Sequence, residues 1–119
     1  TLEWLGRMLG RLHAVGASQA FVHRPQLDPQ SFGQASFEYL MESGFMPHEL
    51  ELSYRSLAED LLARISLRYG EAGDFRRIRT HGDCHPGNIL WRDDNYWFVD
   101  LDDCRTAPAI QDLWMLLSG

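Results

Sequence analysis

Two strand-forming runs flank the turn residues Asp93-Asp94-Asn95. Asn88-Ile89-Leu90-Trp91-Arg92 precedes them, and Tyr96-Trp97-Phe98-Val99-Asp100 follows. Aromatic and β-branched residues bounded by Asp and Asn predict a hairpin with a three-residue connection. One hairpin and a further short strand over residues 76–81 are too little for an independent sheet, so they must lie on helices. The pattern supplies those helices. Leu2, Leu5, Met8, Leu9, Leu12 and Val15 recur at three- and four-residue intervals and predict an amphipathic helix over residues 2–15. Residues 16–30 read as loop and residues 31–42 as a short helix. Pro47 opens a long helix whose face carries Leu50, Tyr54, Leu57, Leu61, Leu62, Ile65 and Tyr69, and which Gly70 and Gly73 end. Its charged residues form a solvated face. Pro108 precedes a final helix over residues 109–117. The fold class is α+β, mostly helical with a small β-hairpin. Trp91, Trp97 and Trp114 are assigned to its core.

Composition excludes several functions. The net charge of -6 argues against a nucleic-acid partner, which needs clustered cations. No apolar run approaches the roughly 20 residues of a membrane span, so no membrane partner is expected. Cys84 and Cys104 form no CxxC and suit free thiols in a reducing compartment better than a disulfide scaffold. All eleven basic residues are Arg, and Lys is absent. The chain starts at Thr1 inside a helical pattern and ends at Gly119 after another, as expected for a piece of a longer protein.

The hairpin carries the chemistry. With the turn centred on Asp94, residue 92 faces 96 and residue 88 faces 100, making Asn88 and Asp100 cross-strand neighbours. Such pairs hold their Cβ atoms about 4.5–5.5 Å apart. One amide oxygen and one carboxylate at that spacing suit Mg²⁺, which completes its shell with water and phosphates. A slip of one residue would send the two side chains to opposite faces. Asp83 lies five positions before Asn88, in the loop His81-Gly82-Asp83-Cys84-His85-Pro86-Gly87. There it can accept a proton from an attacking hydroxyl while a metal holds the phosphates of ATP, the HxDxxxxN logic of phosphoryl transfer. Asp83 is therefore the candidate base; Asn88 and Asp100 are the candidate metal and cofactor ligands. Gly82, Pro86 and Gly87 shape the loop, and His81 braces it by hydrogen bonds. His85 shapes the loop or faces substrate. One of Asp102 and Asp103 is a candidate for binding a second metal or an Arg, and the other is expected to be solvated. Asp112, early in the last helix, is placed to accept backbone N–H bonds from the loop. His13 is assigned to a core or partly exposed position.

The stretches HGDCHPGNILWR and FVDLDDCRTAPAIQDLWMLLSG resemble the protein-kinase-like phosphotransferases, which include aminoglycoside phosphotransferases and choline or homoserine kinases. LGRLHAVG at 9–16 and FVHRP at 21–25 support the resemblance, which is weak from 28 to 70. Within that group the nearest branch is the bacterial stress-response protein kinases. The resemblance implies Asp83 as catalytic base, Asn88 and Asp100 as Mg²⁺ ligands, Asp100 as a second catalytic residue, and ATP as phosphoryl donor. It further implies a monomeric cytoplasmic enzyme acting on protein Ser or Thr hydroxyls in oxidative and envelope stress. Family members carry an upstream lobe whose lysine contacts the ATP phosphates. This chain has no Lys and no Gly-rich phosphate loop, so residues 1–119 are expected to be a partial C-terminal lobe, inactive alone, without the N-lobe and the last helices.

Three alternatives remain open on the residues. A small-molecule kinase would use the same three side chains on an aminoglycoside, choline or homoserine hydroxyl. His81-x-Asp83 could be two ligands of an iron oxygenase needing a distant third. A kinase fold without activity is the third, and the intact Asp83, Asn88 and Asp100 argue against it.

Overall fold

The computed structural model describes residues 1–118. They form two compact units, residues 1–26 with 76–118, and residues 27–75.

The first unit begins with helix α1, Leu2–Gly16, capped by the Thr1 hydroxyl, which accepts the Trp4 amide. Its C-terminal carbonyls are taken by two arginines. Arg79 donates to the carbonyls of Val15 at 2.9 Å and Gly16 at 3.5 Å, and Arg76 donates to that of Ala17 at 2.7 Å. Cations at a helix C-terminus satisfy its last acceptors and oppose the dipole. Gly16 allows the close approach, since a Cβ there would stand 2.1 Å from the Arg79 carbonyl oxygen.

Four short strands follow, in two antiparallel pairs. Strands β1, Arg77–Thr80, and β4, Arg105–Pro108, pair in the register Ile78 to Ala107. Gln26 bridges to Thr106 on the other side of β4. Strands β2, Ile89–Arg92, and β3, Asn95–Phe98, form the hairpin. Helix α4, Ile110–Ser118, closes the unit. Its buried apolar residues are Leu9, Ile78, Cys84 and Ala107.

The hairpin differs from expectation by one residue. Arg92 pairs with Asn95, so the connection is the two residues Asp93 and Asp94, at φ 51° and 58°. Two positive φ values in a two-residue connection make a type I′ turn, whose twist matches that of the strands. Asn88 belongs to a 3₁₀ turn, Pro86–Asn88, rather than to the strand. Its carbonyl accepts the Val99 amide at 3.0 Å, so residue 88 faces 99 and not 100. The cross-strand argument for Asn88 and Asp100 is thereby overturned. Strand β4 was not expected: Arg-Thr-Ala-Pro has little strand preference, and long-range pairing makes it a strand.

In the second unit a π-helical segment, Pro29–Gln34, runs into helix α2, Ala35–Glu42. Asp28 caps the segment by accepting the Ser31 amide at 2.7 Å. Helix α3, His48–Ala72, starts after Pro47 and stops at Gly73, at φ 63°. Gly70, expected to end it, lies inside. Phe37 is buried and stacks on Tyr54, with ring centroids 6.4 Å apart. No residue of α3 is fully buried, and Leu50, Leu57, Leu61 and Ile65 remain exposed. The three tryptophans assigned to the core are also exposed: Trp91 at 52%, Trp97 at 58% and Trp114 at 59%. No helix of the described residues is long and apolar enough to cross a membrane.

Candidate active site

The loop from His81 to Asn88 joins β1 to β2, and four anchors hold its shape. Gly82 sits at φ 86°, and a Cβ there would stand 2.1 Å from the Asp103 carbonyl oxygen, so only glycine fits. Asp112 of α4 is fully buried beneath the loop. Its Oδ2 accepts the His81 amide at 3.0 Å and its Oδ1 the Gly82 amide at 2.9 Å, the loop-fastening role expected of it. His13 of α1 lies 2.8 Å from Asp112 Oδ2 through Nε2. Burial pushes the Asp112 carboxyl up, but the hydrogen bonds from His13, Gly82 and His81 outweigh it and hold the group below the ordinary carboxylate value. His81 is the fourth anchor. Its Nε2 lies 2.8 Å from the Val99 carbonyl, which can only accept, and its Nδ1 accepts the Asp83 amide at 3.3 Å. With both ring nitrogens engaged and the side chain buried, His81 is no metal ligand, which removes the iron-oxygenase reading.

The loop brings Asp83 and Asn88 together. Asn88 Nδ2 donates to the Asp83 carbonyl at 2.9 Å and to Asp83 Oδ2 at 3.1 Å. Both partners are acceptors, so the amide orientation is settled and Oδ1 faces away from them. That oxygen makes no hydrogen bond among the described residues, and no fully buried side-chain polar atom there lacks a partner, so it reaches the surface. His85 Nε2 lies 3.6 Å from Asp83 Oδ2. Cys84, between them in sequence, points into the core. Burial, with the charges of Asp112 and Asp83, pushes its thiol up to about 12.

Asp100 follows the end of the hairpin. It is exposed, and its carboxylate makes no hydrogen bond or ion pair among the described residues. Its φ of 59° is left-handed, a region that Asp tolerates better than most residues. Neither Asn88 nor Asp100 is in a strand, so strand alternation does not dictate their sides. Asn88 is bonded to Val99, the residue before Asp100. Asp103 binds Arg105 at 2.5 Å, the Arg partnership expected for one of the pair 102 and 103. The Asp102 backbone carbonyl accepts a hydrogen bond from Arg24. His13 was missed as part of the site; its one sequence signal was its place beside the apolar face of α1.

The donors fit Mg²⁺ in type. Asn88 Oδ1 and the Asp100 carboxylate are hard oxygen ligands with no competing partner. The described residues contain no group of three or more His, Cys, Asp or Glu able to hold a metal. Mg²⁺ is a cation commonly bound by one or two protein oxygens together with substrate phosphates.

Comparison with known proteins places the whole chain among phosphotransferases. The chain is 42% identical to Stress response kinase A of Escherichia coli over 118 residues, 99% of this chain and 35% of the relative. It is 43% identical to the Shigella flexneri protein of the same name, with the same coverage. It is 41% identical to the Serine/threonine protein kinase RdoA of Salmonella typhimurium, again over 99% of this chain and 35% of the relative. The chain thus spans about a third of the length of these relatives. Its helices and small antiparallel pairs are those of a fragment of a kinase-like fold. The profile of the phosphotransferase enzyme family, APH, matches residues 1–119, and the chain belongs to that family.

Proposed function

We propose that this chain supplies the catalytic loop of an ATP- and Mg²⁺-dependent phosphotransferase. On this reading the complete protein is a Ser/Thr protein kinase of the stress-response type, and residues 1–119 are part of its C-terminal lobe. The observation that carries the proposal is the Asn88 amide bridging the Asp83 carbonyl and carboxylate at 2.9 and 3.1 Å. That bridge holds the base and one metal ligand as a unit and leaves the ligand's oxygen outward. The names of the relatives support a kinase with a protein acceptor. The free thiols of Cys84 and Cys104 support a cytoplasmic location.

Asp83 takes the proton of the acceptor hydroxyl as its oxygen bonds to the γ-phosphorus. The bond from that phosphorus to the β,γ-bridging oxygen breaks, and ADP leaves. Asn88 and Asp100 would hold Mg²⁺, which neutralises charge on the phosphate oxygens. The loop's anchors keep Asp83 from moving as it takes the proton, because Asp112 fixes the backbone two residues before it.

In the complete protein, Asp83→Asn is expected to lower kcat by about 10²–10⁴-fold while leaving ATP binding largely intact. Phosphate transfer from labelled ATP, with a protein acceptor and with aminoglycoside, choline and homoserine acceptors in parallel, measures it. Full activity in Asp83→Asn would refute the assignment of the base. Transfer to a metabolite alone would replace the protein acceptor by a small molecule.

A further inference from the structure

We infer that His85 is a positioning residue for Asp83, dividing the work of the two carboxylate oxygens. Oδ2 is held by the protein, and Oδ1 is left for the acceptor hydroxyl. This rests on the phosphotransferase reading and deepens it.

His85 opens the 3₁₀ turn Pro86–Asn88, and its Nδ1 accepts the Gly87 amide at 3.0 Å. A ring nitrogen that accepts carries no hydrogen, so in the neutral ring the hydrogen is on Nε2. That nitrogen is the one that lies 3.6 Å from Asp83 Oδ2. The ring lies over Gly87, where a Cβ would stand 2.7 Å from Cε1 and 3.0 Å from Nδ1. Glycine at 87 is therefore what gives the imidazole its place. The same Oδ2 receives Asn88 Nδ2 at 3.1 Å. Two N–H groups from opposite ends of one turn thus address one oxygen, while Asp83 Oδ1 makes no hydrogen bond among the described residues.

At 3.6 Å the histidine contact is longer than a formed hydrogen bond. Catalytic contacts often tighten only when substrate is bound. In the transfer step the acceptor's proton goes to Oδ1, the acceptor oxygen bonds to the γ-phosphorus, and ADP departs. His85 neither gains nor loses a proton. It keeps the carboxylate from rotating, and misplacing a reacting group by about 1 Å can cost on the order of 100-fold.

Capping and positioning are separable by substitution. Asn at position 85 can still accept the Gly87 amide through its side-chain oxygen, but it is too short to put an N–H against Asp83. Ala loses both contacts. In the complete protein, His85→Asn is expected to lower kcat about tenfold with the KM for ATP and the melting temperature near wild type. His85→Ala is expected to lower kcat and melting temperature together. Wild-type kcat in His85→Asn, with loss only in His85→Ala, would reduce His85 to a cap and overturn the inference. Long-range ¹H–¹⁵N spectra give a readout free of activity: a hydrogen on Nε2 supports the inference, and one on Nδ1 overturns it. A wild-type protein unable to transfer phosphate from ATP sinks the kinase reading and this inference with it. An active wild type with an unaffected Asn variant sinks the inference alone.

Discussion

Cys84 stands in sequence beside the candidate base, a place where a thiol could sense oxidants. Its side chain is fully buried, and its pKa is pushed up to about 12, so at neutral pH it carries almost no thiolate. Alkylation by iodoacetamide at pH 8 is expected to spare Cys84 in the native complete protein and to label it once denaturant unfolds the chain. Mass spectrometry of the peptide spanning residues 79–92 reads the difference. Peroxide sensitivity of activity is likewise expected to be unchanged in Cys84→Ser. Gly82 is the converse case, a residue with no side chain whose place is strictly determined. Gly82→Ala puts a Cβ 2.1 Å from the Asp103 carbonyl oxygen at a positive φ. It should cost at least about 2 kcal/mol of stability, measurable by urea titration.

The existence of the hairpin is written in its residues, but its register is not. Alternating aromatic and branched side chains mark both strands whichever residues form the turn. Asp93-Asp94 and Asp93-Asp94-Asn95 differ by one residue, and that residue decides what faces Asn88. The choice falls to the type I′ turn, because its twist suits the strands better than a three-residue loop does here. Two Asp residues at positive φ pay a conformational penalty that glycine would not. Asp94→Gly is therefore expected to raise stability by about 0.5–1 kcal/mol without changing activity, seen as a higher urea midpoint. Helix α3 shows the same limit. Its apolar residues at helical spacing predict the helix correctly, and Gly73 ends it where a left-handed residue is needed. The period says only that those residues share a face, not that anything covers it. Leu57, Leu61 and Ile65 share such a face and remain exposed.

Asp112 works at the scale of the whole chain, joining α1 through His13 to the loop through His81 and Gly82, across sequence separations of 99, 31 and 30 residues. Asp112→Ala removes the acceptor from two buried amides and a histidine, and should cost about 3–5 kcal/mol. Its pH dependence has a definite sign. The folded pKa lies below the ordinary 3.8, so the unfolded chain binds more protons in between. Stability from this group is full above about pH 4 and is lost as pH falls through the lowered value. Asp112→Asn should flatten that part of the acid limb in urea midpoints of the complete protein between pH 2 and 6. The sequence alone determined the helices, the hairpin, the loop motif, and the identity of Asp83, Asn88 and Asp100 as candidates. These follow from local preference and from residue chemistry, which the neighbours in the chain already express. Tertiary structure alone decided that Asn88 faces Val99, that His13 reaches Asp112, that Cys84 is sealed, that β4 is a strand, and that three tryptophans lie outside the core. The bond from His13 to Asp112 and the pairing of β1 with β4 join distant positions, and the period of a sequence records a face without recording its partner.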